Sequence, residues 1–230
     1  MVGLKIINFE CDKDLLNFIK KNSIKFVGSG AEGSCYQGKY NNVYKFFEFS
    51  TKNKYNLKDI ITEDEVKNDS FAFPTELYSV GDTLEGYKAR FISKDYFSID
   101  NTFEIRTISK FNFDNFSKAY KVFLKDLLKL SKDNILIYDL PFNIMFDGEK
   151  MTAIDTCGYK KVDKDPTKDN ISSLNGAMEL LFEQWFSNSK KVEFQLKDNN
   201  IDNFINDVYS KLPLTLKRRV SMNNNYKFKK

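Results

Sequence analysis

Residues 26–47 read FVGSGAEGSCYQGKYNNVYKFF, with Gly28, Gly30 and Gly33 in a G-x-G-x-x-G spacing. The spacing alone fits a dinucleotide-binding turn, a hairpin laid over phosphates or a chance run of glycines. The residues after Gly33 separate the first two. A dinucleotide turn opens a helix at its third glycine, whereas SCYQGKYNNVYKFFEF is rich in aromatic residues, contains turn residues and reads as strand. Glu48 lies twenty residues after Gly28, where a ribose-binding acid would stand, but no crossover helix fits between them. A Walker loop needs Gly-Lys-Ser/Thr, which is absent. The remaining reading is a glycine hairpin whose N–H groups approach phosphate oxygens. Gly28, Ser29, Gly30 and Gly33 are then candidate nucleotide contacts, and Lys45 on the next strand reaches the phosphates.

Composition narrows the chemistry. The 230 residues suit one large domain or two lobes, and the 22 Phe and 12 Tyr can fill a core with rings. No histidine is present, which excludes His bases and His-ligated metals. Cys11, Cys35 and Cys157 are too few and too dispersed for a zinc site or a disulfide framework. Carboxylates, amides, hydroxyls and lysines remain. No apolar run approaches the roughly 20 residues of a membrane span, and the early acidic residues do not suit a secretory signal. A cytoplasmic protein is the expectation, with delivery to another cell left open. The net charge of +4 comes from residues 214–230, which carry six basic residues and no acid; the rest has 30 basic against 32 acidic. This segment reads as a solvated basic tail. Aromatic and basic residues are not interleaved elsewhere, so nucleic acid is not the expected ligand.

Along the chain, Leu15, Leu16, Phe18 and Ile19 predict an opening helix. SIKFVG, SCYQGKY and NVYKFFEF predict strands, and TELYSVGD with EGYKARFIS predicts a hairpin. KYNLKDIITEDEVKND predicts a helix on Leu57, Ile60, Ile61 and Val66. Phe113, Phe116, Tyr120, Phe123, Leu127 and Leu130 alternate spacings of three and four, an amphipathic helix. NIMFD and KMTAID predict a second hairpin around DGEK. Leu174, Met178, Leu181 and Trp185 mark one further helix. Ile201, Phe204, Ile205, Val208 and Leu212 mark the last, which Pro213 stops.

Two stretches together resemble the protein-kinase-like superfamily, in the form of a small, divergent bacterial-type kinase. GSGAEG resembles its glycine-rich loop and VYK its strand lysine, Lys45. IYDLPFNIMFDGEKMTAIDTCGY resembles its catalytic loop followed by its metal-binding segment. The resemblance spans roughly residues 24–185. It implies an α+β, two-lobed protein-kinase-like fold: a single domain over 1–230, with an antiparallel-sheet N-lobe over about 20–92, a reduced helical C-lobe over 93–213 and the tail over 214–230. It implies a helix glutamate paired with Lys45, for which Glu63 is preferred over Glu65. It gives Asp139 the acceptor-orienting role, and Asn143 and Asp155 the metal.

The implied function is an ATP- and Mg²⁺-dependent phosphotransferase, with protein serine/threonine phosphorylation leading and a small-molecule hydroxyl as the other acceptor class. The rivals are an aminoglycoside- or choline-type kinase, a pseudokinase binding module, and transfer of AMP. The sequence departs from the pattern at Ile137-Tyr138-Asp139, at the shortened Asp139-to-Asn143 spacing, and at Asp155-Thr156-Cys157.

Overall fold

A computed structural model describes residues 5–92, 97–98, 111–186, 192–223 and 226–228. The chain is α+β and divides into two compact units. The first comprises residues 1–93 and 154–161; the second comprises 94–153 and 162–230.

The first unit is built on a six-stranded sheet: β1 (Lys5–Phe9), β2 (Ser23–Ser29), β3 (Gly33–Gly38), β4 (Asn42–Phe47), β5 (Glu76–Val80) and β6 (Thr83–Arg90), in the order β1-β5-β6-β4-β3-β2. Every pairing is antiparallel except β1 with β5, so the sheet is mixed, not purely antiparallel. β1 and α1 (Asp12–Asn22) begin before residue 20, and the first unit therefore starts earlier than the predicted lobe. The three-residue β3–β4 connection, 39–41, places Tyr40 and Asn41 at positive φ (57° and 59°), the conformation tight hairpin connections use to match strand twist.

Alternation along β4 sorts its side chains onto two faces. Tyr44 and Phe46 pack with Tyr78 and Leu15 under α1, with Phe9, Phe18 and Tyr36 around them. Phe47 on the opposite face joins Leu77, Tyr87, Ala89, Ile60 and Cys157. Lys45 shares this second face and is 7% exposed.

The helix expected over KYNLKDIITEDEVKND does not form. The segment has 3₁₀ turns at Lys52–Lys54 and Leu57–Asp59, then a single turn. The main-chain N–H and hydroxyl of Thr62 both donate to Glu65 Oε1 (3.2 Å each), and the N–H groups of Glu65 and Val66 donate back to the Thr62 carbonyl. This is the start of a capped helix; Glu63 N–H, which a helix would leave without an acceptor, donates to Pro74 O, but Lys67, Asn68 and Asp69 supply no further apolar face. Ile60 and Ile61 are buried without a helix.

In the second unit, α2 (Phe113–Lys132) buries all six residues of its predicted stripe. With α3 a single turn at Leu140–Asn143, the next long helices are α4 (Thr167–Phe186) and α5 (Ile201–Lys211). Both pack with α2 around Phe182, whose ring lies 5.5 Å from Phe116 and 5.4 Å from Phe204. The Trp185 side chain lies outside the described residues. β7 (Phe97–Ser98), β9 (Ile144–Phe146) and β10 (Met151–Ala153) form a small sheet; β8 (Ile135–Leu136) leads towards α3, and β11 (Lys160–Lys161) lies in the first unit.

The basic tail is not a free end. Residues Leu214–Asn223 form α6 with Val220 fully buried; Tyr226 bonds to Asp202, and the Phe228 ring stacks on Tyr209 at 3.8 Å.

The three loop glycines differ in what the protein itself demands of them. A Cβ on Gly33 would lie 2.1 Å from the Phe46 carbonyl oxygen, whereas one on Gly28 or Gly30 would meet nothing within 4 Å. Neither Gly28 nor Gly30 has positive φ. Gly33→Ala is therefore expected to destabilise by about 1–3 kcal/mol, as overpacking against backbone does. Gly28→Ala and Gly30→Ala should be neutral, or stabilising by up to about 1 kcal/mol. Urea denaturation of the three variants checks the contrast; equal losses at all three would contradict it.

Candidate functional site

Lys45 is the centre of the site in the first unit. Strand register sets Cys35 of β3 on one side of it and Tyr87 of β6 on the other. An ammonium in so enclosed a place must be paired. Its Nζ lies 2.5 Å from Asp155 Oδ1 and 3.4 Å from Glu32 Oε2. The Tyr87 hydroxyl also donates to Asp155 Oδ1, at 3.2 Å. Asp155 stands 110 residues from Lys45 in sequence and reaches it from a left-handed backbone conformation (φ 59°). Aspartate tolerates that conformation better than most residues, at some cost in strain.

Glu32, inside the glycine loop, is the second partner. Its carbonyl accepts from Glu48 N–H (2.9 Å) and the Thr51 hydroxyl (2.7 Å). Its carboxylate accepts from the Tyr55 hydroxyl, at 2.9 and 3.0 Å to the two oxygens, and pairs with Lys54. Lys52 pairs with buried Glu85 of β6, fixing the segment that carries Lys54 and Tyr55 against the sheet.

The charges act on one another. Burial pulls the Lys45 ammonium down, but Asp155 first and Glu32 after it outweigh that and hold it above its usual value. Burial pushes the Glu32 carboxyl up, but the Lys54 hydrogen bond, the Lys45 charge and the Tyr55 hydroxyl together bring it below the ordinary carboxylate range. Burial raises the Tyr87 hydroxyl and the Cys157 thiol, and the Asp155 charge adds to both. The Cys35 thiol is raised chiefly by burial as well. Both thiols therefore stay protonated at neutral pH and are poor nucleophiles.

The predicted partners of Lys45 are replaced. Glu63 sits on the turn that Thr62 begins, and its carboxylate makes no ion pair among the described residues. Glu65 serves Thr62 and pairs with Lys161 (3.1 Å). The glycine-loop spacing pointed to Lys45 but not to Glu32, which occupies one of its variable positions. The signal available was chemical: an acid in a loop read as cradling phosphate needs a cation of its own.

In the second unit, Asp139 is exposed and also left-handed (φ 52°) at the entrance to α3. The Asn143 side-chain N–H donates to the Asp139 carbonyl (3.1 Å), which orients the amide and leaves its oxygen as an acceptor. The segment before Asp139 is fixed by Asn170, which is fully buried. It donates to Ser131 Oγ (2.9 Å) and Ile135 O (2.8 Å), and accepts from Ile137 N–H (2.8 Å). Sequence reasoning missed Asn170, since nothing marks a helical asparagine as a loop support.

Asp155 Oδ1 is engaged by Lys45 and Tyr87, while Oδ2 takes no hydrogen bond among the described residues. Mg²⁺ commonly takes one or two protein oxygens and fills its remaining positions with phosphate and water. Asp155 in the first unit and Asn143 in the second each present an oxygen of that type, and no group of three or more His, Cys, Asp or Glu among the described residues could hold a metal ion by itself.

No protein-family model and no curated protein matches the chain. Among the described residues, no helix is long and apolar enough to cross a membrane.

The Lys45 cluster makes stability pH-dependent. Glu32, lowered from 4.5, contributes stability that is present above that value and lost as pH falls through its folded-state value. Lys45, raised from 10.5, contributes stability that is present below that value and lost as pH rises through its folded-state value. Lys45→Met leaves Glu32 and Asp155 without their shared cation and should cost about 1–3 kcal/mol at neutral pH, below the range for a fully buried pair because both carboxylates are partly exposed. The gap between wild type and variant should narrow as pH falls below 4.5. Denaturation curves from about pH 3 to 8 test this; a gap independent of pH would refute it.

Proposed function

We propose that the chain binds ATP through the glycine turn and Lys45 and transfers the γ-phosphate to a hydroxyl, with protein serine or threonine as the leading acceptor class. The observation that carries this reading is the Lys45–Asp155 pair. The two residues meet at 2.5 Å, and each belongs to a separate stretch of sequence that resembles a phosphate- or metal-binding motif. A structural ion pair would account for the contact, but not for the two loop glycines that nothing in the protein requires. Their open Cα positions suit close approach by a phosphate chain.

The kinase-like resemblance supplies the remaining roles. In this reading Gly28, Ser29, Gly30 and Gly33 line the phosphates with backbone N–H groups, and Lys45 directs its charge to them. Asn143 and Asp155 would hold Mg²⁺, which supplies charge neutralisation on the phosphates when bound. Asp139 orients the acceptor hydroxyl and takes its proton. The acceptor oxygen bonds to the γ-phosphorus, the bond to the β,γ-bridging oxygen breaks, and ADP leaves. Positioning and charge stabilisation provide most of the acceleration. The exposure of Asp139 and the anchoring of Asn143 on its carbonyl suit these roles. A two-lobed kinase-like arrangement is part of the same proposal.

Incubation with γ-labelled and α-labelled ATP and Mg²⁺ separates the possibilities. Transfer of γ label to protein or to a small hydroxyl compound, abolished in Asp139→Asn and Asp155→Asn, is the expected result. Transfer of α label would indicate AMP transfer, and transfer of neither a nucleotide-binding module without chemistry. ATP at about 100 times its Kd should stabilise the fold by roughly 2.7 kcal/mol, with Mg²⁺ but not with EDTA. Gly28→Ala should stay folded and lose much of that stabilisation. An equal thermal shift under EDTA would reject the metal assignment.

A further inference from the structure

We propose that Glu32 is the positioning residue for Lys45, so that the glycine loop itself supplies the carboxylate that the resemblance places on a helix. The inference rests on the phosphotransfer reading and deepens it.

A lysine that directs charge to phosphates needs a carboxylate that stays with it while Asp155 turns to a cation. Among the described residues neither Glu63 nor Glu65 pairs with Lys45. The segment bearing them forms no helix, Glu63 is tied through its backbone to Pro74, and Glu65 is committed to Thr62 and Lys161. Glu32 meets the requirement. Its backbone is held by Glu48 and Thr51, and both oxygens of its carboxylate accept from the Tyr55 hydroxyl. Lys54 offsets part of its charge. The carboxylate is thus fixed by the protein before any ligand arrives. Since Glu32 belongs to the loop, the loop and Lys45 are coupled: a displacement of the glycine turn displaces the lysine's partner. The Tyr55 hydroxyl touches Glu32, and Tyr55→Phe removes that contact while keeping the ring that packs on Phe47.

Two measurements on Glu32→Gln, Glu63→Gln and Tyr55→Phe test the role. The first is labelling of Lys45 by an amine-reactive reagent across a pH series, quantified by mass spectrometry. Removing the Glu32 charge should move the Lys45 labelling midpoint to lower pH, while Glu63→Gln leaves it in place. The second is γ-phosphate transfer from MgATP. Glu32→Gln should lose roughly 10- to 100-fold in kcat with a smaller change in KM, as misplacement of a catalytic group does. Tyr55→Phe should lose less, and should add little on top of Glu32→Gln. Glu63→Gln should match the wild type. A shifted labelling midpoint with undiminished kcat would overturn the positioning role and leave phosphotransfer standing. An unshifted midpoint would overturn the coupling itself. A wild type that transfers no phosphate would defeat the phosphotransfer reading and the positioning role together, while the labelling result would still report on the ion pair.

Discussion

A cation on an inner strand of a sheet constrains everything around it. Lys45 sits between Cys35 and Tyr87 and shares its face with Phe47, Leu77 and Ala89. Its charge there is tolerable only if carboxylates are brought in from outside the sheet. One comes from the loop between β2 and β3. The other comes from a residue 110 positions along the chain from Lys45, in the segment 154–161 that joins the first unit and not the sequence around it. That short segment brings Cys157 to the apolar cluster beside Tyr87, and Thr156 to a hydrogen bond with the Ala72 carbonyl. The ion pair and the packing on that face are therefore one structure. Loss of the charge removes the reason for Asp155 to hold a strained conformation.

The parts of the fold legible in the sequence obey local rules. β2, β3 and β4 could be read because aromatic and β-branched residues alternate between turn residues. α2 could be read because six apolar residues keep a helical spacing over five turns. The β9–β10 hairpin could be read from DGEK, where Asp147 accepts from Glu149 and Lys150 N–H and Gly148 takes positive φ. Lys45 and Asp155, singled out in two separate stretches of sequence, meet in one ion pair.

The parts that were not legible depend on contacts distant in sequence. Residues 52–66 carry apolar side chains at irregular intervals, and the turn that Thr62 begins is followed by Lys67, Asn68 and Asp69, which offer no apolar face to bury. The parallel pairing of β1 depends on β5, 71 residues away, and no local pattern announces it. α6 was hidden for a similar reason. A basic, Asn-rich stretch has little intrinsic drive to fold, and the rings of Tyr226 and Phe228 find partners on the assembled α5 and α2.

The same division between local and distant causes bears on where function lies. Gly33 is explained by the Phe46 carbonyl, and Gly38 and Gly86 by close neighbours of their own. These glycines belong to the fold. Gly28 and Gly30 are not explained by packing or by backbone conformation, though each costs conformational entropy relative to alanine. Asp139 and Asp155 likewise hold left-handed conformations without the ease a glycine would have there. Features that break a local rule concentrate at functional sites. In this chain they fall on the loop beside Lys45, on its ion-pair partner and at the entrance to α3. Glu32 connects the first two, because its backbone and its side chain are both held by the protein. In the proposed reading, a loop whose glycines leave open space and whose acid is held against the lysine has two halves with separate duties: one meets the ligand, and the other keeps the charge in place.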